Sequence, residues 1–467
     1  MKTRREWLAG LASLAVIIAA CGGTTDAGTT TEPPTTEAPA TTMAPTTEPP
    51  ATETADEILT DFGVDDTTIK IGLLADQSSG TFDVIVKPIV EANQAYWDKV
   101  NAEGGIAGGR TVELVVADTR YDPAVHEQQY LTLRDQDEVA AIGQSTGSPQ
   151  TAQILDELAA DSMFAIPLSW YSGWAFDDNT LEQGYNYCIE AMNVVSFMND
   201  MSEPGWTLSV ATFPGEYGQD GAFGAKHAAG ELGVEVIDLE GAVIPTSLGG
   251  DPATEIGPAL VEAQPDWVYA VTGPGELAAM MGAAVQGGLQ ARWSGALPSY
   301  APFLLTTAVA PVLDAAFYWP ATTAAWGSDV EGMDELVETV SAAYPEGQFL
   351  FADYYVRGWV EAEMMHQVLE AAYESGDMTR AGILAAGQSI EGFDFQGLAP
   401  SQSYQGEPND FIVRSTAIYD IDLAQFTPEA TLSQGGGTGT VALDGYGLDY
   451  VSDIAANYEL TEPCFTG

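Results

Sequence analysis

From residue 69 onward, apolar and polar positions follow a repeating order along the chain. "IKIGLLA" is an apolar run of strand length, and residues 84–102 then carry apolar side chains at helical spacing. "RTVELVVAD" reads as a strand, "PAVHEQQYLTLRDQ" as a helix, "VAAIG" as a strand, "PQTAQILDELAAD" as a helix and "MFAIPLS" as a strand. Parallel neighbours cannot be joined by a tight turn, so strands alternating with helices predict a parallel sheet with helical crossovers.

The rhythm breaks over residues 169–187, an aromatic loop "SWYSGWAFDDNTLEQGYNY", and then restarts. "TLSVATF", a helix over about 218–231, "VEVIDLE", the helix "DPATEIGPALVEAQ" with Asp251 as cap and Pro252 at its first position, "DWVYAVT", the helix "ELAAMMGAAVQGG" and "RWSGAL" form a second set of the same unit. The pattern therefore predicts an α/β protein of two Rossmann-like lobes. "AAFYWPAT" (315–322) reads as a strand returning between lobes, followed by helices over 329–344 and 353–375 and a late strand in "FIVRSTAIYDID". The expected division is lobe 1 over 67–190 plus about 320–375, lobe 2 over 191–319 plus about 376–424, and a Gly- and Thr-rich tail over 425–467.

The first residues change the picture of where this fold sits. Lys2, Arg4 and Arg5 precede an apolar stretch from Trp7 to Ala20, too short to span a bilayer and typical of an export signal. It ends in "IAAC", which resembles the lipobox of bacterial lipoproteins and implies a signal over 1–21 and lipid on Cys21. Residues 22–66, dominated by Thr, Pro and Glu, carry no apolar face and read as a disordered spacer. Export to the outer face of the cytoplasmic membrane is the expectation. Charge narrows the partners: 14 basic against 68 acidic residues give a net charge of −54, a surface that repels nucleic acid. The carboxylates are scattered, as in a solvated acidic surface. Three cysteines occur; with Cys21 lipidated, Cys188 and Cys464 are expected to pair in an exported protein.

Ligands of open α/β sheets bind beyond the carboxyl ends of the strands, here 76–82, 118–122, 143–148, 168–174, 212–218, 272–276 and 297–300. One of these ends, "GQSTG", fits the G-x-S-x-G elbow of a serine hydrolase with Ser145 as nucleophile. The downstream histidines, His227 and His366, lie inside helical patterns, and Ser148–Pro149 reads as the helix start, leaving Ser145 three residues outside it. A cradle of hydroxyl and backbone donors is the preferred reading, with an exported hydrolase as the alternative. No zinc, Walker or dinucleotide motif is present in the sequence, so neither metal nor cofactor is expected.

"VNAEGGIAGGRTVELVVADTRYDP" (100–123), "FPGEYGQDG" (213–221) and "DWVYAVTGPGELAAMMGAAVQGGL" (266–289) resemble the extracytoplasmic solute-binding proteins of branched-chain amino acid type that serve ABC importers. The resemblance covers roughly residues 69–420. It implies a hinged, two-lobed periplasmic binding fold of type I, without catalysis, delivering a small molecule to a membrane permease as a monomer; a ligand-sensing lipoprotein is the variant reading. It also implies ligand contacts at Thr146, Gly147 or Ser148, and at Ser169, Tyr171 and Tyr217; the strand ends and their aromatic side chains add Ser79, Phe82, Ser145, Trp170, Thr272 and Ser299 as candidates. Amino-acid binders of this family carry an acidic residue for the α-amine after the strand matching "RWSGAL"; this chain has "LPSYAP" there. The expected ligand is thus a small polar organic molecule, with an amide, a carboxylic acid or an aromatic compound as plausible as an amino acid.

Overall fold

The computed structural model describes residues 58–239 and 241–467; the signal segment, Cys21 and most of the spacer lie outside them. A two-residue strand, β1 (Leu59–Thr60), precedes β2 (Thr68–Ala75), α1 (Asp83–Ala102), β3 (Thr111–Asp118), α2 (Pro123–Thr132), β4 (Ala141–Thr146), α3 (Ser148–Ala152), α4 (Leu155–Ala160) and β5 (Ala165–Leu168). The strands form a four-stranded parallel sheet in the order β3-β2-β4-β5. Local chemistry sets the boundaries. Asp122 accepts from the backbone N–H groups of Ala124 and Val125, and Pro123 opens α2 without losing a donor. Gly147 joins β4 to α3 at φ +98°, where a Cβ would strike the Gln150 side chain and the Tyr121 ring.

The second set comprises α5 (Tyr187–Asp200), β6 (Thr207–Thr212), α6 (Gly215–Leu232), β7 (Glu235–Val236), α7 (Pro252–Glu255), α8 (Gly257–Ala263), β8 (Trp267–Val271), α9 (Pro274–Gln286), β9 (Arg292–Gly295), α10 (Ala310–Ala316) and β10 (Phe317–Ala321). Then follow α11 (Met333–Ala343), α12 (Ala352–Ser375), β11 (Asp377–Met378), α13 (Arg380–Ser389), α14 (Pro408–Phe411), β12 (Ala417–Phe426), β13 (Thr438–Ala442) and α15 (Asp453–Asn457). The larger sheet has the order β13-β12-β10-β9-β8-β6-β7, with β12 and β13 antiparallel at one edge.

Each sheet has its own core. Ile71, Leu73, Trp97, Trp359 and Met365 pack with the smaller sheet, and Leu208, Trp267, Trp293 and Phe317 with the larger. Gly358 lets α12 lie against α1: a Cβ there would run into the Ile89 backbone, and Asn93 seals the contact by donating to the Gly358 carbonyl at 3.1 Å. The chain passes between the sheets three times, after β5, after β10 and before β12.

Several boundaries differ from the sequence pattern. The fold begins ahead of residue 66: β1 pairs in parallel with β11, and Val64 is buried. The helix expected in "PQTAQILDELAAD" breaks at Gln153–Ile154 into α3 and α4. "VEVIDLE" holds a strand of two residues only. Asp251 precedes α7 but its side chain makes no capping bond. Ile383, Phe393, Phe395 and Leu398 are buried in the smaller sheet's core, whereas 376–424 was expected in lobe 2. The tail supplies β13 to the larger sheet.

Candidate functional site

The strand ends of both sheets converge on a narrow cavity, with room of about 30 Å³ for the centres of water-sized groups. Its floor is one face of α1, Ile85, Val86 and Ile89, with Phe82 at the helix start. Thr146 and Ser148 enter from the β4 loop, and Ser169 and Trp170 from the β5 loop. Tyr217 comes from the first turn of α6, and Leu297 and Pro298 follow β9. No Asp, Glu, Lys, Arg or His stands among the lining residues.

Two hydroxyls in this wall have no partner. Ser148 and Ser169 are 1% and 2% exposed, and neither Oγ makes a hydrogen bond. A buried hydroxyl without a partner costs free energy, and both line the same cavity.

The aromatic groups are held by their polar ends, leaving ring faces for the cavity. Tyr217 donates its hydroxyl to the Thr272 carbonyl at 2.9 Å, and its ring lies 4.7 Å from that of Tyr187 and 6.1 Å from Phe82. Trp170 donates its indole N–H to the Gln183 carbonyl at 2.9 Å, with the Arg357 guanidinium 4.7 Å from its ring. Tyr354 donates to the Tyr300 and Leu297 carbonyls at 2.5 and 3.2 Å. Burial holds the Tyr187, Tyr217 and Tyr354 phenols far above their usual range, so they are neutral. Behind the wall, Glu190 accepts from Leu297 N–H at 3.0 Å and Tyr269 hydroxyl at 2.9 Å, and burial pushes its carboxyl up to about 8.

Of the residues singled out from the sequence, Phe82, Thr146, Ser148, Ser169, Trp170 and Tyr217 line the cavity. Ser79 does not line it but lies, with Arg120, in a neighbouring cavity that shares Tyr121 and Tyr217. Ser145 does not reach the cavity. It is fully buried, bonded to His126 Nε2 at 3.1 Å and Thr151 Oγ1 at 2.8 Å. Burial pushes the His126 imidazole down to about 3, and its Nδ1 has no partner, so no acid orients this pair as a catalytic relay. Thr272 and Ser299 form a layer behind Tyr217: Ser299 donates to the Ala270 carbonyl at 2.8 Å and accepts from Thr272 N–H at 3.1 Å. Tyr171 points to the tail, donating to the Phe465 carbonyl at 2.5 Å.

That tail is tied down. Cys188 and Cys464 form a disulfide across 276 residues of sequence, and Cys464 N–H donates to Ser172 Oγ at 2.8 Å. Ser172 in turn is bonded to Asp220 of α6 through its backbone N–H, at 3.1 Å, and its hydroxyl. Sequence reasoning missed Tyr121, Tyr187, Leu297 and Tyr354. Tyr121 and Leu297 do lie at strand ends; Tyr187 and Tyr354 are helical and carry no such signal.

Residues 68–425 match the model of the family described as periplasmic binding protein. The chain is a periplasmic binding protein. Members of this family are exported, bind small ligands and serve ABC transporters. No curated protein sequence matches the chain. Among solved structures, this periplasmic binding protein is similar to a fatty acid ABC transporter substrate-binding protein from Thermomonospora curvata, at 28% identity over 86% of this chain and 97% of that one, with a TM-score of 0.75. A branched chain amino acid ABC transporter from Thermus thermophilus with bound valine is 17% identical over 79% of this chain and 97% of that one, with a TM-score of 0.65. A leucine binding protein from Thermotoga maritima is 16% identical over 78% and 98%, with a TM-score of 0.64. The last two are likenesses of fold alone.

Proposed function

We propose that this chain is a lipid-anchored solute-binding protein that captures a carboxylic acid with an apolar tail and delivers it to an ABC permease. The observation that carries the reading is the pair of unpartnered hydroxyls, Ser148 and Ser169, in an otherwise apolar, uncharged cavity. Each can donate to a carboxylate oxygen, and hydrogen bonds to a charged acceptor are the strong ones. The tail then lies over Ile85, Val86 and Ile89 and between the Trp170 and Tyr217 rings, removing apolar surface from water. An α-ammonium group finds no carboxylate in the wall, and burying it unpaired is costly. The solved neighbour described as a fatty acid binder supports the same class.

In this reading the two sheets are two lobes that close on the ligand, the three chain crossings act as the hinge, and closure follows from tighter binding to the closed state. Cys21 anchors the fold through the spacer. The test is a thermal-shift and calorimetric comparison of octanoate, octanamide and leucine. Octanoate is expected to give the largest rise in Tm by mass action. A larger rise with leucine overturns the reading.

A further inference from the structure

The cleft cavity adjoins a larger one, with which it shares Tyr121 and Tyr217. The larger has room of about 480 Å³ for the centres of water-sized groups, against about 30 Å³ in the cleft cavity. It too is built from strand ends of both sheets. Ser79 follows β2, Arg120 follows β3 and Gln150 follows β4, while Phe213 follows β6 and Ser247 follows β7. Ser247 and Thr81 share a hydroxyl hydrogen bond of 2.5 Å, joining the loops after β7 and β2. The walls are mostly apolar, with Pro149, Phe213, Pro214, Pro245 and Leu248, and Leu248 is 76% exposed.

One cation stands in this wall, and it is unlike the others in the fold. Lys2, Arg4 and Arg5 precede the described residues. Every other Lys and Arg except Arg120 places a side-chain nitrogen within reach of a carboxylate or carbonyl oxygen. Arg120 is exposed, and among the described residues its guanidinium has no partner; it donates only its backbone N–H, to Asp118 at 3.0 Å. The carboxylates nearest in sequence are engaged elsewhere. Asp118 accepts from Ser78 Oγ at 2.6 Å and Gln77 N–H at 3.0 Å, and Asp122 caps α2. Arg120 and Tyr121 are also consecutive non-glycine residues in the left-handed region, at φ +53° and +52°. Side chains adopt that backbone at a cost, and such strain gathers where a group must be placed for function. Here it sets Tyr121 between the two cavities and Arg120 in the wall of the larger.

We propose that the ligand spans both cavities and carries a second anionic group at its far end, which Arg120 receives, as in a long α,ω-dicarboxylate. The inference rests on the reading of the cleft as a carboxylic-acid site. The first carboxylate takes the Ser148 and Ser169 hydroxyls, the chain passes the Tyr121 and Tyr217 rings and covers Phe213 and Leu248, and the second carboxylate meets the guanidinium. Covering apolar surface stabilises such a complex in proportion to area, and the paired N–H donors of a planar guanidinium match a carboxylate. The rest of a surface of net charge −54 repels that far-end carboxylate, so the unpaired cation selects where it lies.

Calorimetric titration of the full chain compares dicarboxylates from hexanedioate to dodecanedioate with the monocarboxylates of equal chain length. At one or more lengths the dicarboxylate is expected to bind about fivefold or more tighter, the worth of a charge-assisted pair in a partly sheltered site. Arg120→Gln is expected to bring the dicarboxylate down to the affinity of its monocarboxylate. Lys226→Gln, which removes a surface cation paired with Asp238, is expected to leave the preference intact. Monocarboxylate binding with no dicarboxylate preference at any length overturns this inference alone, as does a preference that survives Arg120→Gln. An equal loss in both series in Arg120→Gln makes Arg120 the holder of a single head group and likewise overturns it. A chain that binds neither series overturns the reading of the cleft and this inference together.

Discussion

The Tyr217 hydroxyl donates to the Thr272 carbonyl at 2.9 Å, so Tyr217 meets the cavity with its ring and not with its polar end. The hydroxyl positions the ring against Phe82 and Tyr187. Tyr217→Phe keeps the ring and is expected to change octanoate affinity by less than about threefold. Tyr217→Ala removes the wall and is expected to weaken it by roughly tenfold to a hundredfold, as loss of one buried aromatic contact implies. Calorimetric titration of both variants checks this; equal losses would assign the hydroxyl a direct contact.

The Ser148 and Ser169 hydroxyls make no hydrogen bond to any protein group. Replacing a partnerless buried hydroxyl removes its desolvation cost, so Ser148→Ala and Ser169→Ala are expected to leave apo Tm unchanged or slightly raised. The same variants are expected to lose about tenfold each in octanoate affinity, the worth of one hydrogen bond to a charged acceptor. A large drop in apo Tm with unchanged affinity would make the two serines structural.

The alternation of strand and helix was legible because its two periods differ, and the strand-end rule led to Thr146, Ser148, Ser169 and Phe82. It failed within β4, where neighbouring side chains point to opposite faces. Thr146 turns to the cavity, while Ser145 turns inward to His126 and Thr151. Which of two adjacent hydroxyls faces the ligand depends on which sheet face the second lobe covers, and that is tertiary information. Tyr187 and Tyr354 were illegible for a related reason. Tyr354 falls in a helical stretch and Tyr187 at the end of the aromatic loop, and only the packing of α5 and α12 makes the cavity their neighbour. The role of the tail was hidden too: its Gly-rich pattern does not announce β13 pairing with β12.

The Cys188–Cys464 bond closes a loop of 276 residues, well over half of the chain of 467. Cross-linking restricts the unfolded chain, and a loop of this length is worth up to about 5 kcal/mol on entropy grounds. Unreduced protein is expected to show neither thiol to alkylating reagent under denaturing conditions, read by intact mass. Cys464→Ser is expected to lower Tm and to free residues 461–467 for early proteolysis, since beyond the buried Leu460 the tail is held to Tyr171 and Ser172 by hydrogen bonds. Free thiols at both positions in the exported protein would remove the cross-link from the argument.

Buried carboxyls set a pH dependence of unusual sign. Burial pushes Glu190 up to about 8 and Asp220 and Glu363 up to about 7. Burial raises Glu361 as well, against the pull of Arg357. Each keeps its proton in the fold over a range in which the unfolded chain, with carboxyls near 4.5 or below, has lost it. The folded state therefore binds more protons between about pH 4.5 and pH 8, and stability falls as pH rises through that window. At molar salt, which screens the −54 net charge, Tm is expected to drop by roughly 5 °C or more between about pH 5.5 and pH 8. Glu363→Gln removes one titrating group and keeps an amide oxygen for the Trp359 indole N–H, which now donates to Glu363 at 3.0 Å. Its slope of Tm against pH is expected to be shallower than that of the parent chain. A Tm that rises from pH 5.5 to pH 8 at molar salt would mean these carboxyls are ionised in the fold, with water or cations reaching them.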